Sequence, residues 1–329
     1  MSSTQTPVEE VFEGGYLIQA EVGGRPLSLP LLAGETGTVL LDTGCASDVE
    51  GVIVPALRAI GLSPANLTHI VITHCDLDHQ GGNADMKKIA PQAKIGCGRA
   101  DAAQVSDPAV IYAERYDAYR AKHGHFYDDD TRDWIMNALG KPQPVDVVYD
   151  GGEFIEVSPG WIVEVIHLPG HSKGHLALWD KRHRALFAGD AIHGEVYLDL
   201  KGAPALCPTY LQVPEYLNSI RRIEELQPEI YSGCHWPVYR GEEVSDFCRR
   251  SREFVEKAES AILETLKNSD DGMGLTELCH EVGPQLGDWP AEINHELCYA
   301  FNGHLKDLVQ RGLVEEESDS FPVRYLSVQ

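Results

Sequence analysis

Long apolar runs are missing from this 329-residue sequence. Nothing approaches the roughly 18 consecutive apolar residues that a membrane-spanning helix needs. Residues 1–7 lack the basic and then apolar run of a secretion signal, so a cytoplasmic protein is expected. Basic residues are scarce too. Lys and Arg total 27 against 51 Asp and Glu, a net charge of −24, and such a field repels phosphate backbones and anionic membranes. Nucleic acid and membrane are therefore not expected as partners, and phosphodiester cleavage is disfavoured. Paired cysteine spacing is also lacking. Cys45, Cys75, Cys97, Cys207, Cys234, Cys248, Cys279 and Cys298 are scattered through apolar segments with no C-x-x-C, which reads as small buried hydrophobes and not as a disulfide framework. There is no P-loop and no complete H-E-x-x-H, and the run Gly96 to Asp101 lacks the third glycine of a dinucleotide fingerprint.

What is present is an ordinary globular balance, 43% hydrophobic and 24% charged, in a chain long enough for about two domains. From 39 to 232, short apolar runs alternate with Gly-rich or polar turns and helical stretches. The runs 38–42, 68–73, 161–168, 185–188 and 229–232 read as buried strands, and 52–60 and 214–226 as helices, so the body is α/β. Between 98 and 144 the composition turns aromatic and charged. Ile111, Arg115, Tyr116 and Tyr119 recur at helical spacing, which predicts one or two inserted helices, either packing on the core or covering a cleft.

After Tyr239 a second unit begins, giving expected domains of 1–240 and 241–329. Phe247, Phe254, Val255, Ala258, Ile262 and Leu266 form one apolar helix face, further helices are expected over 275–282 and 293–310, and 323–328 reads as a strand. Three helices and a hairpin resemble a winged-helix domain. From Ala291 onward three basic residues face seven acidic ones, which favours packing or homodimerisation over DNA reading.

The richest segment is Thr73-His74-Cys75-Asp76-Leu77-Asp78-His79, after an apolar strand and before Gly81-Gly82. His74, Asp76 and Asp78 alternate, so an extended loop would aim them alike, with His79 reaching a neighbouring point. Any one of them could be a hydrogen-bonded loop residue. That bland reading weakens because His171, Asp190 and His235 also follow strand ends, where loops gather and sites are built. Asp42-Thr43-Gly44 is the triplet of aspartic proteases, but the required second copy is missing.

Together these residues resemble the metallo-β-lactamase-fold hydrolases. Leu40-Leu41-Asp42-Thr43-Gly44 matches the first-strand signature, the segment from His74 to His79 matches H-x-H-x-D-H with Asp76 at the second histidine, and His171, Asp190 and His235 follow in order. The resemblance covers roughly 39–237 and implies a four-layer αββα sandwich with the site at one edge. It further implies two divalent metal ions: one on His74, Asp76 and His171, the other on Asp78, His79 and His235, with Asp190 bridging and Asp42 orienting the site from behind.

With Asp76 in place of histidine, two dications meet three carboxylates and a hydroxide, a neutral and harder shell. Iron or manganese then suits the site as well as the zinc usual to the family. The leading expectation is a dinuclear hydrolase of a small ester, thioester or lactone that uses a metal-bridging hydroxide, with Asp78 or Asp190 carrying the proton. The second is a diiron oxidoreductase or oxygenase, since flavodiiron relatives carry a carboxylate at that position. His175 is expected to be structural, hydrogen-bonded near the ligand loop, Cys75 and Cys234 to pack inward, and His123, His125, His193 and Tyr197 are as compatible with the surface as with the cleft.

Overall fold

The computed structural model describes residues 8–328; residues 1–7, on which the leader expectation rests, lie outside it. The first sheet runs in sequence order through β1 (Val8–Phe12), β2 (Gly15–Val22), β3 (Arg25–Ala33), β4 (Thr38–Leu41), β5 (His69–Ile72), β6 (Lys94–Gly98) and β7 (Val147–Tyr149). Its first four strands are antiparallel neighbours, and β4 to β7 are parallel. The chain then forms β8 (Phe154–Ser158), β9 (Trp161–His167), β10 (Leu176–Asp180) and β11 (Ala185–Gly189). A short hairpin of β12 (Tyr197–Leu198) and β13 (Pro204–Leu206) follows, then β14 (Ile230–Gly233) and β15 (Tyr239–Arg240). The second sheet has the order β15-β14-β11-β10-β9-β8.

The apolar runs carry no alternation because both faces are covered, and parity decides which core each residue joins. Val39 and Leu41 of β4, Val71 of β5, Leu176 and Leu178 of β10 and Phe187 of β11 meet between the sheets. The residues that alternate with them point outward. Leu40, Ile70 and Ile72 join a core with Leu57, Met86, Ile135 and Leu139, whereas Ala177, Trp179, Leu186 and Ala188 pack under Tyr216, Ile220 and Ile223 of the Val213–Leu226 helix. The result is the four-layer αββα sandwich.

The C-terminal part has the three expected helices, Glu242–Lys267, Leu275–Leu286 and Cys298–Gln310, with a small sheet of β16 (Met273–Gly274), β17 (Val314–Glu317) and β18 (Arg324–Ser327) in the order β16-β18-β17. Its apolar residues continue the cluster under the second sheet: Phe247 packs against Tyr231 and Trp236, with ring centroids 5.5 Å away in both cases. Among the described residues no helix is long and apolar enough to cross a membrane. All eight cysteines are buried free thiols.

The inserted segment differs from the expected one or two helices. It is a chain of short helical pieces ending in one regular helix, Asp129–Leu139. The periodicity is interrupted because Asp107 accepts from the Ala109 amide (2.8 Å) just before Pro108, Gly124 turns left-handed (φ 65°), and Asp128 starts a new helix by accepting from Thr131 (2.8 Å).

Candidate functional site

The seven expected ligand residues lie together at one edge of the sandwich. Each follows the C-terminal end of a strand: His74 to His79 follow β5, His171 lies between β9 and β10, Asp190 follows β11 and His235 follows β14. The first segment is not an extended loop throughout. Asp76 is extended, but Asp78 and His79 sit on the short helix Leu77–Gln80, so a helical turn aims them. Three groupings drawn wholly from these seven have ligand atoms within 4.8 Å of one another: His74, Asp76 and His171; Asp78, His79 and His235; and His74, His79 and Asp190. Two more bring in other residues, Asp42 and Cys234 with His79, and His193 with His171 and Asp190.

Asp42 fixes this edge from behind. Its left-handed backbone (φ 61°), which Asp tolerates better than most residues, turns the carboxylate under the ligand segment. There Oδ1 accepts from the Thr73 amide (2.7 Å) and Oδ2 from His79 Nδ1 (2.8 Å). Thr73 also donates its hydroxyl to Asp42 (2.8 Å) and stands 3.0 Å from His74 Nδ1. His235 Nδ1 donates to the Pro26 carbonyl (2.7 Å). Each bond leaves the Nε2 atom facing the site. His235 Nε2 then lies 3.2 Å from Asp78 and 3.4 Å from Asp190, and His79 Nε2 lies 3.7 Å from Asp78.

The electrostatics follow from burial set against these carboxylates. Burial lowers the pKa of His79, but Asp78 and Asp42 outweigh it and hold the imidazole well above its ordinary value. His235 is raised in the same way, against burial, by Asp190 and Asp78. His74, buried beside the His79 and His171 rings, is pushed well below its ordinary value.

No motif marks Arg115 as part of the site. Its guanidinium, 4% exposed, meets both oxygens of Asp76: Nε on Oδ1, and Nη2 on Oδ2 at 2.6 Å. Nη2 also stands 3.3 Å from His171 Nε2, and Nη1 donates to the His171 carbonyl (3.3 Å). Although burial opposes ionisation of Asp76, Arg115, with His171 and His74, holds its carboxyl well below the usual carboxylate range. The next residue, Tyr116, accepts the Leu77 amide at its hydroxyl (3.1 Å). These contacts bind the insertion to the ligand segment. Asp101 adds a tie to the His171 loop by accepting from Ser172 Oγ and the Gly174 amide (2.7 Å). That loop carries Gly170, Ser172 and Gly174 in G-x-S-x-G order. It joins two antiparallel strands, not a strand and a helix, and its serine is spent on Asp101, so it is no nucleophile elbow.

His193 and Tyr197 belong to the interior of the site and not to the surface. His193 is fully buried, edge-on to His171 (centroids 4.8 Å) and stacked on Tyr216; Tyr197 donates to Asp190 Oδ2 (3.2 Å). His175 is not hydrogen-bonded as expected: it stacks on His74 at 5.0 Å, with no hydrogen-bond partner at either ring nitrogen, so packing and not a polar contact holds it. His123 and His125 pack against Tyr325 and His295 of the C-terminal part. Cys75 and Cys234 are buried, Cys234 with its thiol 3.8 Å from Asp42.

A cavity of about 220 Å³ opens over Asp76, Asp78, Asp190 and His235. Tyr116, Tyr127, Trp134 and Ile135 of the insertion form one wall, and Ile293, Glu296 and Tyr299 of the C-terminal part form another. The walls are clasped together: Tyr127 donates to Glu296 (2.9 Å) and meets the Tyr299 hydroxyl (3.1 Å). The insertion therefore both packs on the core, through Ile135 and Leu139, and covers the site.

Comparison with known proteins agrees with this geometry. Residues 30–235 match the family model of the metallo-beta-lactamase superfamily. The chain is 27% identical over 288 residues to a Beta-lactamase-like protein 2 homolog of Caenorhabditis elegans, covering 84% of this chain and 76% of that one. It is also 27% identical over 181 residues to an N-acyl homoserine lactonase of a Bacillus species, covering 47% of this chain and 60% of the lactonase. The crystal structure of a metallo-beta-lactamase family protein from Thermus thermophilus aligns with a TM-score of 0.75 at 20% identity, over 97% of this chain and 100% of that one. That likeness is one of fold.

Proposed function

This chain belongs to the metallo-beta-lactamase superfamily, and from that premise we propose that it is a metal-dependent hydrolase of a small ester, thioester or lactone. The observation that carries the reading is the meeting of acidic and imidazole donors at the floor of a walled, small-molecule-sized cavity. His79 Nε2 and Asp190 Oδ1 are buried polar atoms with no hydrogen-bond partner, an arrangement that is costly unless something binds there. With His235 Nε2 and Asp78 beside them, the donor set suits a divalent cation of the zinc, manganese or iron kind. Asp78, His79 and His235 would hold it.

When bound, such a cation supplies a more acidic water and a Lewis acid for the substrate carbonyl. The chain's own groups do the rest. Asp190 Oδ1 faces the same space and can take a proton from the attacking water and pass it to the leaving group. The Tyr197 hydroxyl holds Asp190 by its other oxygen, and the aromatic walls limit water and select compact acyl groups. An iron oxidoreductase would need Asp76 as a ligand. Asp76 is committed to Arg115, so hydrolysis is the preferred reading.

The test is turnover of p-nitrophenyl esters, acyl thioesters and lactones by full-length protein loaded with Mn²⁺ or Zn²⁺. Turnover of one class should vanish with chelator and with Asp190→Ala. Tyr197→Phe should lower kcat about tenfold, the worth of one hydrogen bond. Hydrolysis that survived both chelation and Asp190→Ala would overturn the reading.

A further inference from the structure

The two ligand clusters are not equivalent. Around Asp78, His79 and His235, among the described residues, no Lys or Arg side chain bonds to the inward-facing atoms, although His79 Nε2, like His74 Nε2 of the other cluster, is a buried atom without a hydrogen-bond partner. Around His74, Asp76 and His171 a cation is already in place. The Arg115 guanidinium touches both oxygens of Asp76 and stands against His171 Nε2, two of the three ligands that an ion there would need. A guanidinium does not lose its proton in a protein, so an added dication would have to displace it or endure its charge at contact distance.

Arg115 lines the cavity, but several contacts oppose its displacement. The side chain of its neighbour Tyr116 is tied to the ligand segment, its hydroxyl accepting from the Leu77 amide. Nη1 is held by the His171 carbonyl, and the guanidinium carbon lies 5.2 Å from the centre of the Tyr299 ring. The replacement of histidine by Asp76 fits the same picture, because a carboxylate pairs with a guanidinium in a fork that an imidazole cannot make.

We infer that this chain holds a single divalent cation, at Asp78, His79 and His235, and that Arg115 is the permanent positive charge of the other position. Arg115 is then a positioning residue that replaces an ion, not a ligand. The inference rests on the metal-dependent reading above and adds its stoichiometry and the reason for it.

The experiment counts ions on full-length protein stripped with chelator, re-equilibrated with excess MnCl₂ and desalted, by mass spectrometry of the metal and by electron paramagnetic resonance. The wild type should carry one Mn²⁺ per chain with the six-line signal of an isolated ion. That ion should be lost in His235→Ala and kept in His171→Ala, and Arg115→Met should gain a second ion, with a spin-coupled spectrum. Two coupled ions in the wild type would overturn the inference while leaving the hydrolase reading standing. One ion lost in His171→Ala but kept in His235→Ala, or no gain in a folded Arg115→Met, would overturn it as well. No ion at saturating Mn²⁺ would bring down both readings. Circular dichroism identifies a variant that does not fold, and the wild type with the two histidine variants then decides alone.

Discussion

Replacing Asp76 by Asn puts the ion pair with Arg115 to a thermodynamic test. Both carboxylate oxygens face the guanidinium, whose side chain is 4% exposed, while that of Asp76 is 16% exposed. Asn offers one neutral oxygen to a cation that stays charged at a largely buried position. Removing one partner of a buried pair costs about 3–5 kcal/mol, and the retained acceptor puts Asp76→Asn near the lower end, about 3 kcal/mol. At roughly 2 °C per kcal/mol for a long chain, the metal-free protein should melt about 6 °C lower. The double variant D76N/R115M removes both charges and should recover most of the loss, a coupling well above the additivity error of distant sites. The assay is thermal unfolding, followed by circular dichroism, of chelator-treated wild type, both single variants and the double. The opposite sign refutes the reasoning. If Asp76→Asn raised the melting temperature without metal, repulsion from Asp78 and Asp190 would outweigh attraction to Arg115, and the guanidinium would not be the partner that Asp76 exists to hold.

Two further outcomes follow from other parts of the structure. Asp42→Asn removes the carboxylate that receives His79 Nδ1 and frees the ring to turn or change tautomer; Mn²⁺ affinity measured by titration calorimetry should fall about 10–100-fold with little change in circular dichroism, and an unchanged affinity would show that the ring needs no such support. His304 is fully buried with Nε2 2.8 Å from the Tyr210 hydroxyl, and burial brings its pKa down from 6.5 to about 4. Because the folded value is the lower one, the unfolded chain takes up the proton first, and stability falls as pH drops from 6.5 towards about 4, by up to about 3 kcal/mol. His304→Gln should flatten melting temperature against pH in that window, and an equally steep profile in the variant would assign the loss to other groups.

The cluster of candidate ligands is legible in the sequence because its members are chemically distinctive and sit just beyond apolar runs, where strands deliver loops to one edge. The strands from 38 to 232 are legible because burial on both faces makes them unbroken apolar runs; β4, β5, β9, β11 and β14 lie within a residue or two of the expected bounds. The three N-terminal strands are not. β3 carries Pro26 and Pro30, which argue against a central strand, yet only Leu31–Ala33 pairs with β4, so both prolines fall where β3 has a strand neighbour on one side alone. Arg115 is illegible for a different reason. It lies 39 residues from Asp76 in a segment with no motif, and only the folding back of that segment makes it part of the site. The aim of Asp78 and His79 escapes a reading of alternation because a four-residue helix leaves no periodicity to detect.

The clasp of Tyr127 with Glu296 and Tyr299 joins stretches 169 residues apart in the chain, and so the ceiling over the cavity is raised from two foundations. Grafting a new inserted segment alone would strand the Glu296 charge beneath an apolar vault, and altering the tail alone would leave a phenol pointing at nothing. Changes in the shape of the cavity must therefore come as matched pairs, one on each side of the seam. A chain clipped after residue 240 would not be a leaner version of this protein but a roofless one, its cavity open to bulk water and the packing under its second sheet stripped of Phe247 and its neighbours.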